Sequence, residues 1–325
     1  MSPPLEAPSP RPATLVANPR SGDGKVARFR LVEAAERQGV RVLLTGPGQD
    51  AAALARRAIA DGAEVLGVAG GDGTVATVAG VAADAGLPLV VVPAGTRNHF
   101  ARDLGLDIRD PAGALVAVRD GEPLQVDLGT VAGRTFVNNV SFGVYADALL
   151  DPRYREAKAH ALASAAGPYL EGRQWVDALV DTPEGTIDRP QVVLVSNNPY
   201  HLATPRCLGR RFALDGATLG AIVVKRPARP VPAPLPRLLR EAGERGATAG
   251  DEGLVTWSAP RITLHGAAST VAAGLDGEAV TLPLPLTCEV RPRALQVLVP
   301  FDRPGTPREP RAPRPPRRSG HRPDA

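Results

Sequence analysis

An apolar run that stops in glycines constrains this chain more than any other feature. Val65, Leu66 and Val68 make a strand-like stretch that ends at Gly70, Gly71, Asp72, Gly73 and Thr74, and residues 75–85 continue with helical spacing. Glycines allow backbone N–H groups to turn inward in conformations that a Cβ forbids, and the helix that follows offers its positive end to an anion. Strand, glycine turn and helix in this order predict a phosphate site, and hence a nucleotide.

The same alternation extends on both sides of that turn. Strand-like residues 14–17 precede a helical stretch over 26–38, 40–44 precede 51–60, and 87–92 lead into a polar loop. This βαβα rhythm implies an α/β domain over 13–122, with a mostly parallel sheet whose ligand loops gather at the carboxyl ends of its strands. Three polar, glycine-bearing loops fall there: 18–25, 70–74 and 93–98. After Gly121 the pattern changes to strand candidates at 124–128, 135–140, 175–180, 192–196, 219–224, 261–264, 280–282 and 286–290. They predict a β-rich second domain over 123–302, with helices at 152–166 and around 238–242 after a proline-dense stretch. Residues 1–12 and the Pro/Arg tail 303–325 carry no apolar periodicity and are expected to be disordered.

Composition narrows the classes. A hydrophobic content of 43% in 325 residues is enough for a core in each domain. No apolar run approaches the ~20 residues that span a bilayer, and no basic stretch with an apolar core opens the chain, so a cytoplasmic protein is expected. Cys207 and Cys288 are far apart and fit no metal spacing. His99, His160, His201, His265 and His321 show no paired metal spacing, and no nucleophile elbow occurs. From Phe301 onward seven arginines face three acids, which accounts for the net charge of +4 and leaves the body near neutral. Such a tail suits peripheral contact with the inner face of an anionic membrane, or simple solvation; no nucleic-acid partner is expected.

Two nucleotide motifs can be tested against the loops. The Walker spacing requires a glycine where Pro19 stands and a Ser or Thr where Val26 stands, so Asn18-Pro-Arg-Ser-Gly-Asp-Gly-Lys25 is not a P-loop. It still presents backbone donors, the Ser21 hydroxyl and the Lys25 cation. Gly71-Asp-Gly-Thr-Val-Ala76 satisfies the loose dinucleotide pattern, but the following strand ends in Val91-Val92-Pro93 without an acid for a ribose. An aspartate inside the loop repels a bare pyrophosphate, so Asp72 fits a magnesium-nucleotide site better than a nicotinamide one.

Taken in order, Asn18-Pro-x-Ser-Gly-x-Gly-Lys25, Gly70-Gly-Asp-Gly-Thr74, Pro93-x-Gly-Thr-x-Asn98 with Phe100-Ala-Arg-Asp-Leu-Gly105, and Leu275-Asp-Gly-Glu278 resemble the bacterial diacylglycerol kinase and sphingosine kinase-like lipid kinases. The resemblance spans residues 14–300. It implies a nucleotide domain, a sandwich-like second domain and an active cleft between them. Carried onto this chain, it implies ATP contacts at Asn18, Ser21, Gly22 and Lys25, at Thr45, at Gly70, Gly71, Asp72, Gly73 and Thr74, and at Gly95, Thr96 and Asn98. Asp276 and Glu278 resemble the catalytic carboxylates, one of them the base; on spacing alone Asp-Gly is also a hairpin turn. The family's Asn-Glu after the glycine loop is replaced here by Ala76-Thr77. Its structural magnesium segment corresponds to Leu214-Asp-Gly-Ala-Thr-Leu219, which offers the single ligand Asp215.

The expected activity is transfer of the γ-phosphoryl group of Mg2+-ATP to a lipid hydroxyl, diacylglycerol by default. The alternatives are a kinase of a soluble acceptor such as NAD, and a non-catalytic nucleotide-binding module with a basic tail.

Overall fold

A computed structural model describes residues 11–46, 48–144, 146–147, 174–202, 209–225 and 253–306. The helices expected at 152–166 and 238–242, Cys207, and nearly all of both ends lie outside these residues.

The chain begins with the expected alternation. Strands β1 (Ala13–Ala17), β2 (Arg41–Leu44), β3 (Val65–Gly70) and β4 (Leu89–Pro93) run parallel in the order β2-β1-β3-β4. Side chains alternate across this sheet. Val16, Leu66, Val68, Leu89 and Val91 enter one core beneath α3 (Ala51–Ala60) and α4 (Asp72–Asp84). Leu15, Ala17, Val65, Val90 and Val92 enter a second core on the opposite face. That opposite face carries α1 (Lys25–Arg28) and α2 (Leu31–Glu36), which replace the single helix expected over 26–38. Arg30 adopts a left-handed conformation (φ 48°) and breaks the helix there. Short helices α5 (His99–Asp103) and α6 (Ala117–Asp120) complete this part.

The second half is antiparallel. Strands β7 (Asn139–Gly143), β10 (Val192–Asn197), β11 (Leu219–Val224), β12 (Leu254–Ala259), β14 (Thr270–Leu275) and β15 (Glu278–Pro283) form one sheet, in the order β12-β11-β10-β7-β14-β15. It faces β5 (Glu122–Val131), β6 (Arg134–Phe136), β8 (Leu179–Thr182), β9 (Gly185–Asp188), β13 (Arg261–His265) and the start of β16 (Leu286–Val299) across a core that includes Phe136, Phe142, Val193, Leu264 and Cys288. Burial pushes the Cys288 thiol up to about 12, as expected for an inert core cysteine. This is the β-rich half expected from the turn-punctuated sequence, in the sandwich form that the family resemblance implies.

β16 joins the two halves. Its first part pairs antiparallel with β13 and β5, and Val297–Leu298 then pair parallel with β4. The register shifts between Arg291 and Leu295 at a bulge containing Pro292 and Arg293 (φ 46°), which lets one strand serve both packings. The parallel sheet thus continues into the sandwich layer. One ten-stranded sheet of the described residues runs through both halves, and Val126, Leu128 and Val137, from beyond residue 122, pack into the core beneath α3 and α4.

Candidate functional site

The three glycine-bearing loops meet where β1, β3 and β4 end. Asn18 N–H donates to the Ala69 carbonyl (2.8 Å), drawing the first loop over the second. The Asn18 side chain accepts from Arg20 N–H (3.1 Å) and donates to Thr74 Oγ1 (3.4 Å), while Ser21 Oγ accepts from Gly71 N–H (3.3 Å). Gly22 is left-handed (φ 55°), and a Cβ there would collide with the Ala94 carbonyl, so only glycine fits between the first and third loops. Lys25 Nζ donates to the Gly95 carbonyl (2.8 Å). Burial lowers its pKa, and the nearby Arg28 and Arg102 cations push the same way.

The second loop is held from below. Gly71 is extended and precedes α4, whose first residue, Asp72, points its carboxylate at the start of α5 and accepts from His99 N–H and Phe100 N–H (both 3.2 Å). Asp72 therefore caps a neighbouring helix instead of standing open beneath a phosphate. Asn98 occupies the N-cap position of α5 but spends its amide on Gly95: Oδ1 accepts from Gly95 N–H (2.7 Å) and Nδ2 donates to the Gly95 carbonyl (2.8 Å). A Cβ on Gly95 would lie 2.5 Å from Gly71 Cα, which is how closely the second and third loops approach. Thr96 is exposed. Thr45, at the end of β2, is buried, and its hydroxyl finds no partner among the described residues. Thr77 donates to the Gly73 carbonyl (2.9 Å) inside α4, so the residue standing where the family has Glu is turned into the helix.

The turn expected to carry the catalytic carboxylates comes from the other sheet. Leu275 pairs with Glu278 across a two-residue turn in which Asp276 (φ 47°) and Gly277 (φ 87°) are both left-handed, the geometry of a type I′ hairpin. The hairpin interpretation therefore holds, and it leaves the catalytic expectation open. Asp276 is buried, and its carboxylate accepts from the N–H groups of Val137 (2.8 Å), Asn138 (2.8 Å) and Asn139 (3.0 Å). Burial pushes its pKa up to about 7; the three donors oppose that shift and the Asp72 charge adds to it. Glu278 is exposed, and its carboxylate lies directly over Gly73, where a Cβ would strike it. The two expected catalytic carboxylates are thus unlike: one is bonded into the backbone, the other is free and faces the phosphate loop.

The metal expectation fares differently. Asp215 is exposed and lies 3.9 Å from the Arg293 guanidinium, and the described residues contain no group of three or more His, Cys, Asp or Glu able to hold a metal. Asp215 as a ligand thus remains what the resemblance implies: among the described residues its half-exposed carboxylate has a cation, Arg293, beside it. The buried carboxylate nearby is Asp127, which the sequence pattern did not single out. It accepts from Arg293 N–H at the β16 bulge (2.8 Å), from Ala217 N–H (2.7 Å) and from Asn198 Nδ2 (3.1 Å). Those three donors compensate a charge that would otherwise be costly to bury. Arg211 was also missed; its guanidinium is fully buried beside Asp103.

For ATP, the residues present fit a phosphate chain. Two glycine-lined loops approach within contact, a cation lies at their edge, and the 13-residue α4 directs its N-terminus into the gap. For magnesium, the donor set suits an ion that arrives with the nucleotide phosphates and takes few protein oxygens.

Comparison with known proteins agrees with this architecture. Residues 12–131 match the family described as the diacylglycerol kinase catalytic domain. A diacylglycerol kinase of Mycobacterium tuberculosis (strain ATCC 25618 / H37Rv) is 36% identical over 122 residues, which are 36% of this chain and 40% of that protein. A probable YegS-like lipid kinase of Pseudomonas fluorescens is 40% identical over 106 residues, 32% of this chain and 35% of the relative. The chain thus spans about two fifths of the length of the curated relatives it matches. A putative diacylglycerol kinase from Bacillus anthracis has the same fold, with a TM-score of 0.66 at 19% identity over 90% of this chain and 98% of that one. By its sequence over residues 12–131, and by its fold over most of its length, the chain is similar to the bacterial diacylglycerol kinases and YegS-like lipid kinases.

Proposed function

We propose that the protein is an ATP-dependent lipid kinase. One observation carries the reading: a free carboxylate from the antiparallel sheet, Glu278, lies against Gly73 of the glycine loop. Phosphoryl transfer requires this juxtaposition, with an acid on the acceptor side next to the phosphate cradle.

In this reading the N–H groups of Asp72, Gly73 and Thr74 and the Lys25 cation hold the ATP phosphates, and Ser21 and Asn18 keep the cradle closed. Thr45, whose buried hydroxyl has no partner among the described residues, and the exposed Thr96 keep the ATP contacts that the resemblance implies. Glu278 takes the proton of the acceptor hydroxyl as that oxygen bonds to the γ-phosphorus and the bond to the β-phosphate oxygen breaks, releasing ADP. Magnesium bound with the ATP would neutralise charge on the phosphates. Asp276 acts through its backbone grip, which fixes the turn that presents Glu278.

The acceptor class rests on similarity to proteins named as diacylglycerol and lipid kinases, and diacylglycerol is the first substrate to test. No helix among the described residues is long and apolar enough to cross a membrane, so we propose that the enzyme meets its substrate at the bilayer surface. Incubation with γ-labelled ATP and a panel of diacylglycerol, sphingoid and prenol lipids is expected to label one class. Absence of any labelled lipid would sink the proposal, and transfer without lipid or detergent would point to a soluble acceptor.

A further inference from the structure

Arg211 is the largest fully buried side chain among the described residues, and its bonds run to three places: the end of α5, the 137–138 segment and the end of β10. Nε donates to Asp103 Oδ2 (2.8 Å), and Asp103 is the last residue of α5, the helix whose other end Asp72 caps. Nη1 donates to the carbonyls of Val137 (2.6 Å) and Asn197 (2.8 Å), and Nη2 to Asn138 Oδ1 (2.7 Å). Val137 and Asn138 are also residues whose N–H groups grip Asp276, two positions before Glu278. One guanidinium therefore bridges the helix that closes the phosphate loops and the turn that carries the acceptor-side carboxylate.

We infer that Arg211 is a positioning residue: by locking Asp103 at the end of α5 to the 137–139 backbone, it sets where Glu278 stands relative to Gly73. The inference rests on the reading in which Glu278 is the base. Arginine suits the position because its planar fork can serve three directions at once, which the point charge of a lysine cannot. A buried ion pair is weak evidence for stability in itself, since apolar replacements are often as stable. What this pair supplies is a fixed distance between two elements joined only distantly in sequence. Asp276 also feels its charge: the groups facing that carboxylate are Asp72 from α4, Arg211, and the Tyr200 phenol, whose hydroxyl accepts from Asn139 Nδ2 (2.9 Å). Arg211→Met removes the cation and leaves Asp72, so Asp276 then holds its proton to higher pH. A protonated Asp276 grips the turn less well.

The test compares the full chain with Arg211→Met, Arg211→Lys and Asp103→Asn variants. Transfer from labelled ATP to diacylglycerol micelles is measured per folded molecule across the neutral pH range, with ATP binding followed by calorimetry. Hydrogen exchange is read at 136–139 and 274–279. The expected result is a fall in kcat of at least about tenfold in both arginine variants, with ATP affinity nearly unchanged. Exchange accelerates in the two named segments but not in β1 and β3, and the acid limb of the pH profile moves upward in Arg211→Met more than in Arg211→Lys. A folded Arg211→Lys or Arg211→Met protein with wild-type kcat, pH limb and exchange overturns the inference. If Arg211→Met does not fold, Asp103→Asn decides on the same readouts. If the wild type labels no lipid, the kinase reading falls, and exchange at 136–139 and 274–279 alone decides the role of Arg211: faster supports it, unchanged rejects it.

Discussion

At the scale of single residues, the site is a matter of which acid is free. Glu278→Gln keeps the shape and removes the proposed base, so turnover should fall by about 10²–10⁴ with nucleotide affinity intact, as transfer assays and ATP titration would show. Gly73→Ala is expected to push aside only the flexible end of Glu278, lowering activity with little change in Tm. Gly95→Ala presses on the Gly71 backbone, which cannot give, so both activity and Tm should fall. Asp276 makes stability depend on pH. Its pKa rises from 3.8 unfolded to about 7 folded, so the folded state binds its proton more tightly. The associated stability is fully present below the unfolded value and is lost as pH rises through about 7, an effect of at most roughly 4 kcal/mol. Denaturant melts of wild type and Asp276→Asn should therefore differ in slope between mildly acidic and neutral pH. A wild-type curve as flat as the variant's would show that the burial argument fails.

At the scale of elements, α5 is too short to persist by itself and owes its place to groups from elsewhere. Asp72 caps one end and Arg211 holds the other. Asp72→Ala should lower stability by about 0.5–2 kcal/mol, the range of an N-cap, and slow turnover further by loosening the third loop; thermal melts and transfer rates would report both effects. The sequence places the glycine loop at the start of α4, and its strand, turn and helix all follow from local rules. Asn98 shows where local rules end. It looks like an ordinary N-cap and occupies that position, yet its amide closes the Gly95 loop while an acid 26 residues upstream does the capping.

At the scale of the whole molecule, β16 and the segment after it bind the two halves together. Arg303 donates to the Leu104 carbonyl (3.4 Å) and Gly305 N–H to the Gly105 carbonyl (3.0 Å), so the chain returns from β16 to the end of α5. A chain ending at Pro300 should melt roughly 2–4 °C below one ending at Thr306, if each of the two lost bonds contributes about 1 kcal/mol. Calorimetry of the two would check this. The sequence alone determined the mostly parallel sheet, the three loops at its carboxyl edge and a β-rich second half, because strand and helix periods, glycine turns and proline breaks act over a few residues; the antiparallel pairing of that half came with the structure. It also brought out Asp276 and Glu278 as a pair, through the Asp-Gly turn and a family resemblance. Only the tertiary structure decided which carboxylate is buried and which is free, that Asp215 faces solvent while Asp127 is held inside, and that Arg211 joins α5 to the Asp276 turn. Those outcomes depend on backbone donors contributed by segments tens to hundreds of residues away, and on how far each charge is removed from water. Neither quantity exists until the two sheets have packed.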